Sequence, residues 1–281
     1  LLYNASSNAV PATVNAGTYN GMIGASAATG TGLSNYAITY VAGRLTVGKA
    51  TLTLTPNAQS VAYDSTTLNT GTYSANVANY TVSGYKNSDS SSNVTISLTG
   101  AMDFTSGLLT VSPVNAGSYG YTQGTLAATT TNTNYDVVFG STANQYTITP
   151  AVVSLTANKT YDSTTTFAAS NITVATGIGS QTLTLTGNAT ANSANVVGVT
   201  SLNTTGLTLG NGANGGLASN YVLPSLSAAG SNNTVTITPK ALNLSANKIY
   251  DAATSLAGAV VMTGFVGNQT LNFTGATAHT P

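Results

Sequence analysis

Apolar and polar residues alternate along much of this chain with a period of two. Examples are Leu52 and Leu54; Val153, Leu155 and Ala157; Leu183 and Leu185; and Leu242, Leu244 and Ala246. Side chains on a β-strand alternate between the two faces of a sheet, so this pattern predicts strands with one covered face and one polar face. Clusters of glycine and asparagine, as at 209–218, predict turns between them. Since no stretch has the period of an amphipathic helix, we predict an all-β fold.

Short motifs return along the chain at long intervals. Val-Asn-Ala-Gly-Thr-Tyr at 14–19 returns as Val-Asn-Ala-Gly-Ser-Tyr at 114–119. Asn-Tyr occurs at 35–36, 134–135 and 220–221, and Tyr-Asp occurs at 63–64, 161–162 and 250–251. Junctions at Gly48, Pro150 and Pro239 are 102 and 89 residues apart. This period is too long for a solenoid repeat and suits a small independent β-domain.

These junctions predict four segments. Residues 1–48 are the C-terminal part of one repeat, 49–149 and 150–239 are complete repeats, and 240–281 are the N-terminal part of another. Strand-like segments flank each junction closely, and proline suits a strand start or edge. We therefore expect tandem small β-sandwiches, immunoglobulin-like in fold, that form a stiff elongated rod. The partial ends have two explanations: a window on a longer protein, or completion between successive subunits by strand exchange.

Charge and chemically reactive residues are scarce. Only 4% of the residues are charged, as six Lys/Arg and six Asp, and there is no cysteine. This argues against nucleic-acid binding, zinc–thiolate sites and disulfides. The aspartates are not clustered and the single histidine is His279, so we expect no calcium site, no cofactor and no enzyme activity. No apolar run is long enough for a membrane span, so we predict none.

The Tyr-Asp motif is the best candidate for a site. Its residues are Tyr63, Asp64, Tyr161, Asp162, Tyr250 and Asp251, and Lys159 and Lys248 lie two residues before the last two tyrosines. One interpretation is a repeated contact with a sugar or a cation. We favour a structural one, in which aspartate caps the following turn and tyrosine packs at a strand edge, because every repeat carries the motif. Residues two apart on a strand share a face, so we also expect a cation–π contact between Lys159 and Tyr161, and the same between Lys248 and Tyr250.

Several motifs together resemble a known repeat class. Asn-Lys-Thr-Tyr-Asp-Ser-Thr-Thr at 158–165, Asn-Tyr at 220–221 and Thr-Ile-Thr-Pro at 236–239 resemble a YDG-type repeat, and 49–149 resembles the related MBG-type repeat. Such repeats are found in large secreted bacterial adhesins of the filamentous-haemagglutinin-like class. The resemblance implies an extracellular, cell-surface stalk or filament that an outer-membrane transporter exports.

One position departs from the YDG pattern. The glycine that names the motif is replaced by Ser65, Ser163 and Ala252. If that glycine adopts a positive φ, we expect these copies to use another turn geometry, because side chains disfavour that region.

Three functions fit the sequence. The first is a structural region of an adhesin or extracellular filament that serves cell adhesion or biofilm formation, with neighbouring repeats or copies of itself as partners. The second is a carbohydrate- or matrix-binding module that contacts host glycans or proteins through exposed tyrosines. The third is a self-assembling filament subunit completed by strand exchange. Seven of the twelve charged residues lie at junctions or Tyr-Asp motifs, which favours the structural function.

Overall fold

The computed structural model of the chain confirms the all-β prediction. It describes residues 14–24, 28–65, 77–104, 114–140, 145–224, 232–272 and 275–277. The chain divides into two compact units, Leu1–Val61 with Thr66–Ile148 and Ala62–Ser65 with Thr149–Pro281. In the described part, the helical segments are short 3-10 turns at Leu33–Asn35, Val77–Asn79, Ala169–Asn171 and Ala218–Asn220. Each of these turns ends on asparagine, a residue that favours turns.

The strands of the first unit are short. They are β1 (Gly17–Ile23), β2 (Gly43–Val47), β3 (Ala50–Pro56), β4 (Gln59–Ala62), β5 (Tyr80–Ser83), β6 (Ile96–Thr99), β7 (Asp103–Phe104), β8 (Gly117–Thr122), β9 (Ala127–Thr130), β10 (Tyr135–Phe139) and β11 (Gln145–Thr149). They form sheets ordered β1-β2, β10-β3-β5, β4-β11-β8-β7 and β6-β9.

The core of the first unit lies against the central strand β3. This strand pairs in parallel with β10 and antiparallel with β5. Its inward residues Leu52 and Leu54 are fully buried, as the alternation predicts. A second cluster joins Phe104 to Tyr121 and Tyr146, with ring centroids 5.4 and 5.5 Å apart. The unit therefore has a mainly aliphatic core around β3, which also contains Tyr135, and an aromatic core on another sheet.

The second unit contains the remaining strands. They are β12 (Ala151–Val152), β13 (Ser154–Thr160), β14 (Thr166–Ala168), β15 (Ile172–Ala175), β16 (Leu183–Ala191), β17 (Leu202–Asn203), β18 (Leu207–Asn211), β19 (Tyr221–Val222), β20 (Asn233–Thr238), β21 (Asn243–Ala246) and β22 (Val260–Thr263). Their sheets are ordered β12-β19, β15-β13-β20, β14-β16-β17 with β18 also on β16, and β21-β22.

Strand β13 organises the core of the second unit. It lies between β15, which is antiparallel, and β20, which is parallel. Its inward positions Leu155 and Ala157 are buried, as is Val153 just before it, which confirms the predicted alternation. Phe167 and Leu202, from the sheet around β16, are also fully buried.

Strand β21 departs from the expected burial. Its apolar positions Leu244 and Ala246 have the predicted spacing, yet Leu244 is 68% exposed and Ala246 is exposed. Among the described residues β21 pairs with β22 alone. One neighbouring strand therefore leaves its apolar side uncovered.

Two of the three predicted junctions are short, as the sequence predicts. β2 and β3 are separated by Gly48 and Lys49, and β11 and β12 by Pro150. The third is longer, because β20 ends at Thr238 and β21 begins at Asn243. Among the helices of the described residues, none has the length and apolar character required to cross a membrane.

Candidate functional site

The Tyr-Asp turn after β13 is built around a buried lysine. Lys159 points inward from the strand, and its side chain is only 5% exposed. Its ammonium lies 2.7 Å from the Asp162 carboxylate and 2.8 Å from each of three oxygens: the carbonyl and hydroxyl of Thr164 and the carbonyl of Thr166. It also lies 4.8 Å from the centroid of the Phe167 ring. An ammonium has three N–H donors, so the chain itself satisfies this one.

Asp162 caps the turn that follows. Its carboxylate accepts hydrogen bonds from the backbone N–H and the hydroxyl of Thr164, both at 2.9 Å. Burial raises the pKa of this carboxyl, but the hydrogen bonds from Lys159 and Thr164 outweigh it, so the pKa lies below its ordinary value. The geometry is the predicted structural one, in which the aspartate oxygen holds the turn. Whether this motif also contacts a ligand stays a prediction.

The turn after β21 repeats the network. Lys248 donates to the carbonyls of Ala253 at 2.8 Å and Ser255 at 2.7 Å, and its ammonium lies 2.6 Å from Asp251. Asp251 accepts a hydrogen bond from the Ala253 backbone N–H at 3.0 Å. The Lys248 hydrogen bond lowers the pKa of Asp251, and the Ala253 N–H adds to the effect.

The prediction that the copies without glycine use another turn geometry is wrong. Ser65, Ser163 and Ala252 have φ values of 61°, 62° and 59°, so all three adopt the left-handed conformation. These copies therefore keep a geometry that suits glycine, although they carry a side chain there. The aspartate cap of the last two turns fixes the backbone around this residue and helps to offset the strain.

The expected cation–π partner of Lys159 is also wrong. The ammonium lies over Phe167 of β14, not over Tyr161. β13 ends at Thr160, so the rule that places residues two apart on one face does not extend to Tyr161.

Two tyrosines of the Tyr-Asp motif each contact a different glutamine, far along the chain. Tyr161 accepts a hydrogen bond from the Gln269 amide at 2.5 Å. Tyr63 is buried, and its hydroxyl accepts from the Gln181 amide at 3.1 Å. In both cases the glutamine belongs to the sequence repeat that follows the tyrosine. The motif thus connects segments that the sequence predicts to be consecutive repeats.

A second tyrosine completes the site around Tyr63. Tyr221, of the Asn-Tyr motif, packs edge-on against Tyr63 with ring centroids 5.5 Å apart. Its hydroxyl donates to the Gln181 carbonyl at 2.5 Å. Burial, with a smaller contribution from Tyr63, raises the pKa of Tyr221. The amide of Gln181 therefore lies between two tyrosine hydroxyls and uses both its donor and its acceptor.

The Asn-Tyr motif makes a further link in the first unit. The Asn134 side chain accepts a hydrogen bond from the Ala16 backbone N–H at 2.7 Å and donates to the Asn15 side chain at 2.9 Å. Next to it, the Tyr135 hydroxyl donates to Asp89 at 2.7 Å. Burial, and then the hydrogen bond with Asp89, raise the pKa of Tyr135. The Val-Asn-Ala-Gly motif is thus bound to the Asn-Tyr motif of the next predicted repeat.

The predicted site residues do not share one environment. Asp64 is exposed and has no lysine two residues before its tyrosine, since that position is Val61. Tyr250 is 92% exposed, in contrast to the buried Tyr63. Among the described residues, no three His, Cys, Asp or Glu side chains lie together as a metal site would require, and His279 lies outside these residues.

Gln181 and Gln269 are the residues that the sequence reasoning missed. Both lie in a short recurring run, Gly-Ser-Gln-Thr-Leu at 179–183 and Gly-Asn-Gln-Thr-Leu at 267–271. The recurrence itself was a detectable signal. Its meaning was hidden because each glutamine pairs with a tyrosine more than a hundred residues earlier.

Among the comparisons with known proteins, one family model matches one segment of the chain. No curated protein and no solved structure matches the chain. The family model of the YDG domain matches residues 142–230, the segment that contains the buried Lys159 turn, Gln181 and Tyr221. Residues 142–230 therefore contain a YDG-type domain.

Proposed function

We propose that this chain is a structural repeat region of a secreted bacterial surface protein, either an adhesin stalk or an extracellular filament, without a catalytic role. In this proposal the repeats are tandem sandwich domains of MBG and YDG type that form a rod. One observation carries the proposal: the motifs that recur in sequence are used to bind one repeat to the next. Tyr63 contacts Gln181, Tyr161 contacts Gln269, and Asn134 contacts Ala16.

The same contacts suggest how such a region would resist force. A tyrosine from one repeat is held in the next, so pulling on the chain must break side-chain contacts as well as backbone pairing. The parallel pairing of β13 with β20 adds resistance, because it joins the start of a repeat to its end over six residue pairs. Only six Lys and Arg residues leave few cleavage sites for trypsin-like proteases.

The proposed location at the cell surface is tested by immunolabelling intact cells of the source bacterium. Antibodies raised against the chain should label the surface of unpermeabilised cells. An antibody against a cytoplasmic protein, which should label permeabilised cells only, is the matched control. Label that appears solely after permeabilisation would contradict the proposal.

A carbohydrate- or matrix-binding module is the second candidate. The observation that favours it is the exposure of two tyrosines, Tyr36 at 75% and Tyr250 at 92%, since exposed aromatic rings can stack on sugars. A glycan array should then give binding that the Tyr36→Ala and Tyr250→Ala variants reduce. An array without binding would eliminate glycan recognition and leave the structural proposal intact.

A further inference from the structure

We propose that the glycine-rich loop at 212–216 fixes the position of Gln181 and so makes its site selective for a tyrosine hydroxyl. The loop lies between β18 and the 3-10 turn Ala218–Asn220, which leads directly into Tyr221. Its residues act through Gln181 and are therefore positioning residues. This role deepens the proposed function and rests on it, because the contact between Gln181 and Tyr63 is one of those that link the predicted repeats.

The loop holds both chain neighbours of Gln181. On one side, the Asn214 side-chain amide donates a hydrogen bond to the Ser180 carbonyl at 2.8 Å. On the other side, the Ala213 backbone N–H donates to the Thr182 hydroxyl at 2.8 Å, and the Ala213 carbonyl accepts from the Thr182 backbone N–H at 3.2 Å. Because the residues before and after it are tied to one loop, the backbone of Gln181 has little freedom.

Glycine allows the loop to lie this close. A Cβ atom on Gly212 or Gly216 would clash with the Thr182 carbonyl oxygen. Neither glycine has a positive φ, so the positions require space and not a left-handed backbone. Gly216 is buried, although the other residues of the loop are exposed. Since the loop has no large apolar side chain, its hydrogen bonds and this close approach hold it in place.

A second turn holds the backbone of Gln181 itself. The Thr176 hydroxyl donates to the Gln181 carbonyl at 2.9 Å, and the Gln181 N–H donates to the Ile178 carbonyl at 3.2 Å. The turn at 176–181 and the loop at 212–216 therefore hold Gln181 from two directions. Such support around a contact residue is what keeps its side chain in one productive orientation.

The end of the same loop region positions Tyr221. The side chain of Asn211, the last residue of β18, accepts a hydrogen bond from the Ala218 N–H at 2.8 Å. Ala218 begins the 3-10 turn before Tyr221, and the Asn220 N–H closes that turn on the Leu217 carbonyl at 3.0 Å. One connection therefore positions both the glutamine and the second tyrosine of the site.

A fixed glutamine selects a hydroxyl at position 63. The Gln181 carbonyl oxygen accepts from Tyr221, which leaves the NH₂ group to donate to Tyr63. A phenylalanine ring there would leave this donor without its acceptor. A glutamine that could swing away would find another partner, so selectivity for tyrosine requires that Gln181 be held.

The selectivity is measured as the effect of Tyr63→Phe on the unfolding equilibrium constant of the full chain in urea. In the wild type this substitution should raise the constant about two- to tenfold, as expected for the loss of one hydrogen bond. In a Gly216→Ala chain, whose loop is pushed away from Thr182, the same substitution should change it by less than about 1.5-fold. Gly48→Ala is the control, because an added Cβ atom meets open space there, and it should keep the wild-type effect.

Asn214→Gly is a milder variant that keeps the test decisive if Gly216→Ala does not fold. It removes the donor to Ser180, and glycine tolerates the left-handed backbone at this position, where φ is 56°. Asn87→Gly, at a position with the same φ, is its control. The effect of Tyr63→Phe should be smaller in the Asn214→Gly chain than in the wild type, and unchanged in the Asn87→Gly chain.

The possible failures are distinguishable. If Gly216→Ala and Asn214→Gly lower stability but leave the full effect of Tyr63→Phe, the loop has a general structural role only, which overturns the proposal and leaves the tyrosine link intact. If Tyr63→Phe has no effect in the wild type, both the proposal and the link that supports the proposed function are overturned. Neither result depends on the immunolabelling, which tests location alone.

Discussion

The turns at Lys159 and Lys248 share the Asn-Lys-x-Tyr-Asp motif and similar local hydrogen bonds, yet they lie in different surroundings. In both, the lysine binds the aspartate three residues later and two carbonyl groups beyond it. Strand β13 before the first turn buries Leu155 to 1% exposure, whereas β21 before the second leaves Leu244 at 68%. The tyrosines differ as well, because Tyr161 is bonded to Gln269 and Tyr250 is exposed.

This difference distinguishes the hydrogen bonds that form within the turn from the burial that requires a distant strand. Aspartate capping and the lysine hydrogen bonds involve residues within eight positions of one another, so the sequence of the turn alone can form them. Burial of the preceding strand requires β20, which reaches β13 from about eighty residues away. The turn is therefore a local unit, and its stability depends on what covers it.

The largest expected effect comes from truncating the matched leucines. Leu155→Ala should lower the free energy of unfolding by about 3 kcal/mol, because it removes a fully buried side chain and leaves a cavity. Leu244→Ala should change it by less than about 0.5 kcal/mol, because the side chain is largely in solvent. Urea unfolding followed by tyrosine fluorescence measures both. Equal losses would show that β21 is covered in solution and would remove the basis of the comparison.

The next largest difference in stability is expected between variants of the two matched lysines, Lys159 and Lys248. Lys159→Met should lower the free energy of unfolding by about 2–3 kcal/mol, because it removes the buried ammonium that binds Asp162 and the carbonyls of Thr164 and Thr166. Lys248→Met should lower it by about 1 kcal/mol, because the Lys248 side chain is more exposed, at 19% against 5% for Lys159. Lys240→Met, an exposed lysine at a junction, is the control. A Lys159→Met chain as stable as the wild type would refute the structural importance of this network.

How much of this could be read from the sequence depends on the range of the interaction. The alternation around Leu52 and Leu155 predicts buried strands correctly, and the Asp162 cap follows from the turn that comes after it. The Lys159–Tyr161 contact is wrong because the strand ends between the two residues and brings Phe167 to the ammonium instead. The exposure of Leu244 does not follow from the periodicity, which shows which residues share a face and not whether another strand covers it.

The tyrosine–glutamine links show the same limit. Tyr63, Tyr161 and Tyr250 are equivalent in sequence, and the motif marks all three. Their partners, Gln181 and Gln269, lie in the following repeats, and pairing them requires knowledge of how the strands are arranged. The positive φ of Ser163 was missed for a different reason: the absence of glycine argues for another geometry, although the capped turn tolerates a side chain.

Glycine at the left-handed positions should have a smaller, stabilising effect. Ser163→Gly and Ala252→Gly relieve the strain of a side chain at positive φ, of about 1–2 kcal/mol, but increase the freedom of the unfolded chain. We expect a net gain of about 0.5 kcal/mol at each position. Ser154→Gly, in β13, should instead destabilise the chain by about 0.5–1 kcal/mol. A loss of stability at both turns would contradict the strained geometry.

Lowering the pH tests the same hydrogen-bond network, because it protonates Asp162. The pKa of Asp162 in the folded chain lies below that in the unfolded chain. Its contribution to the free energy of unfolding is therefore fully present above the unfolded pKa and is lost as pH falls through the folded pKa. Asp162→Asn should therefore be less stable than the wild type at neutral pH, and the difference should shrink below about pH 4. Asp251→Asn should follow the same direction. Thermal unfolding as a function of pH measures this, and a gap that widens in acid would contradict the direction.

The central claim is that the tyrosine of the Tyr-Asp motif links one repeat to the next, and a double-mutant cycle on Tyr63 and Gln181 tests it most directly. The chain is unfolded in urea as the wild type, Tyr63→Phe, Gln181→Leu and the double variant. We predict a coupling of about 0.5–1.5 kcal/mol, the typical net value of an intramolecular hydrogen bond. Additive losses, with a coupling below about 0.3 kcal/mol, would contradict the claim that this contact holds the repeats together.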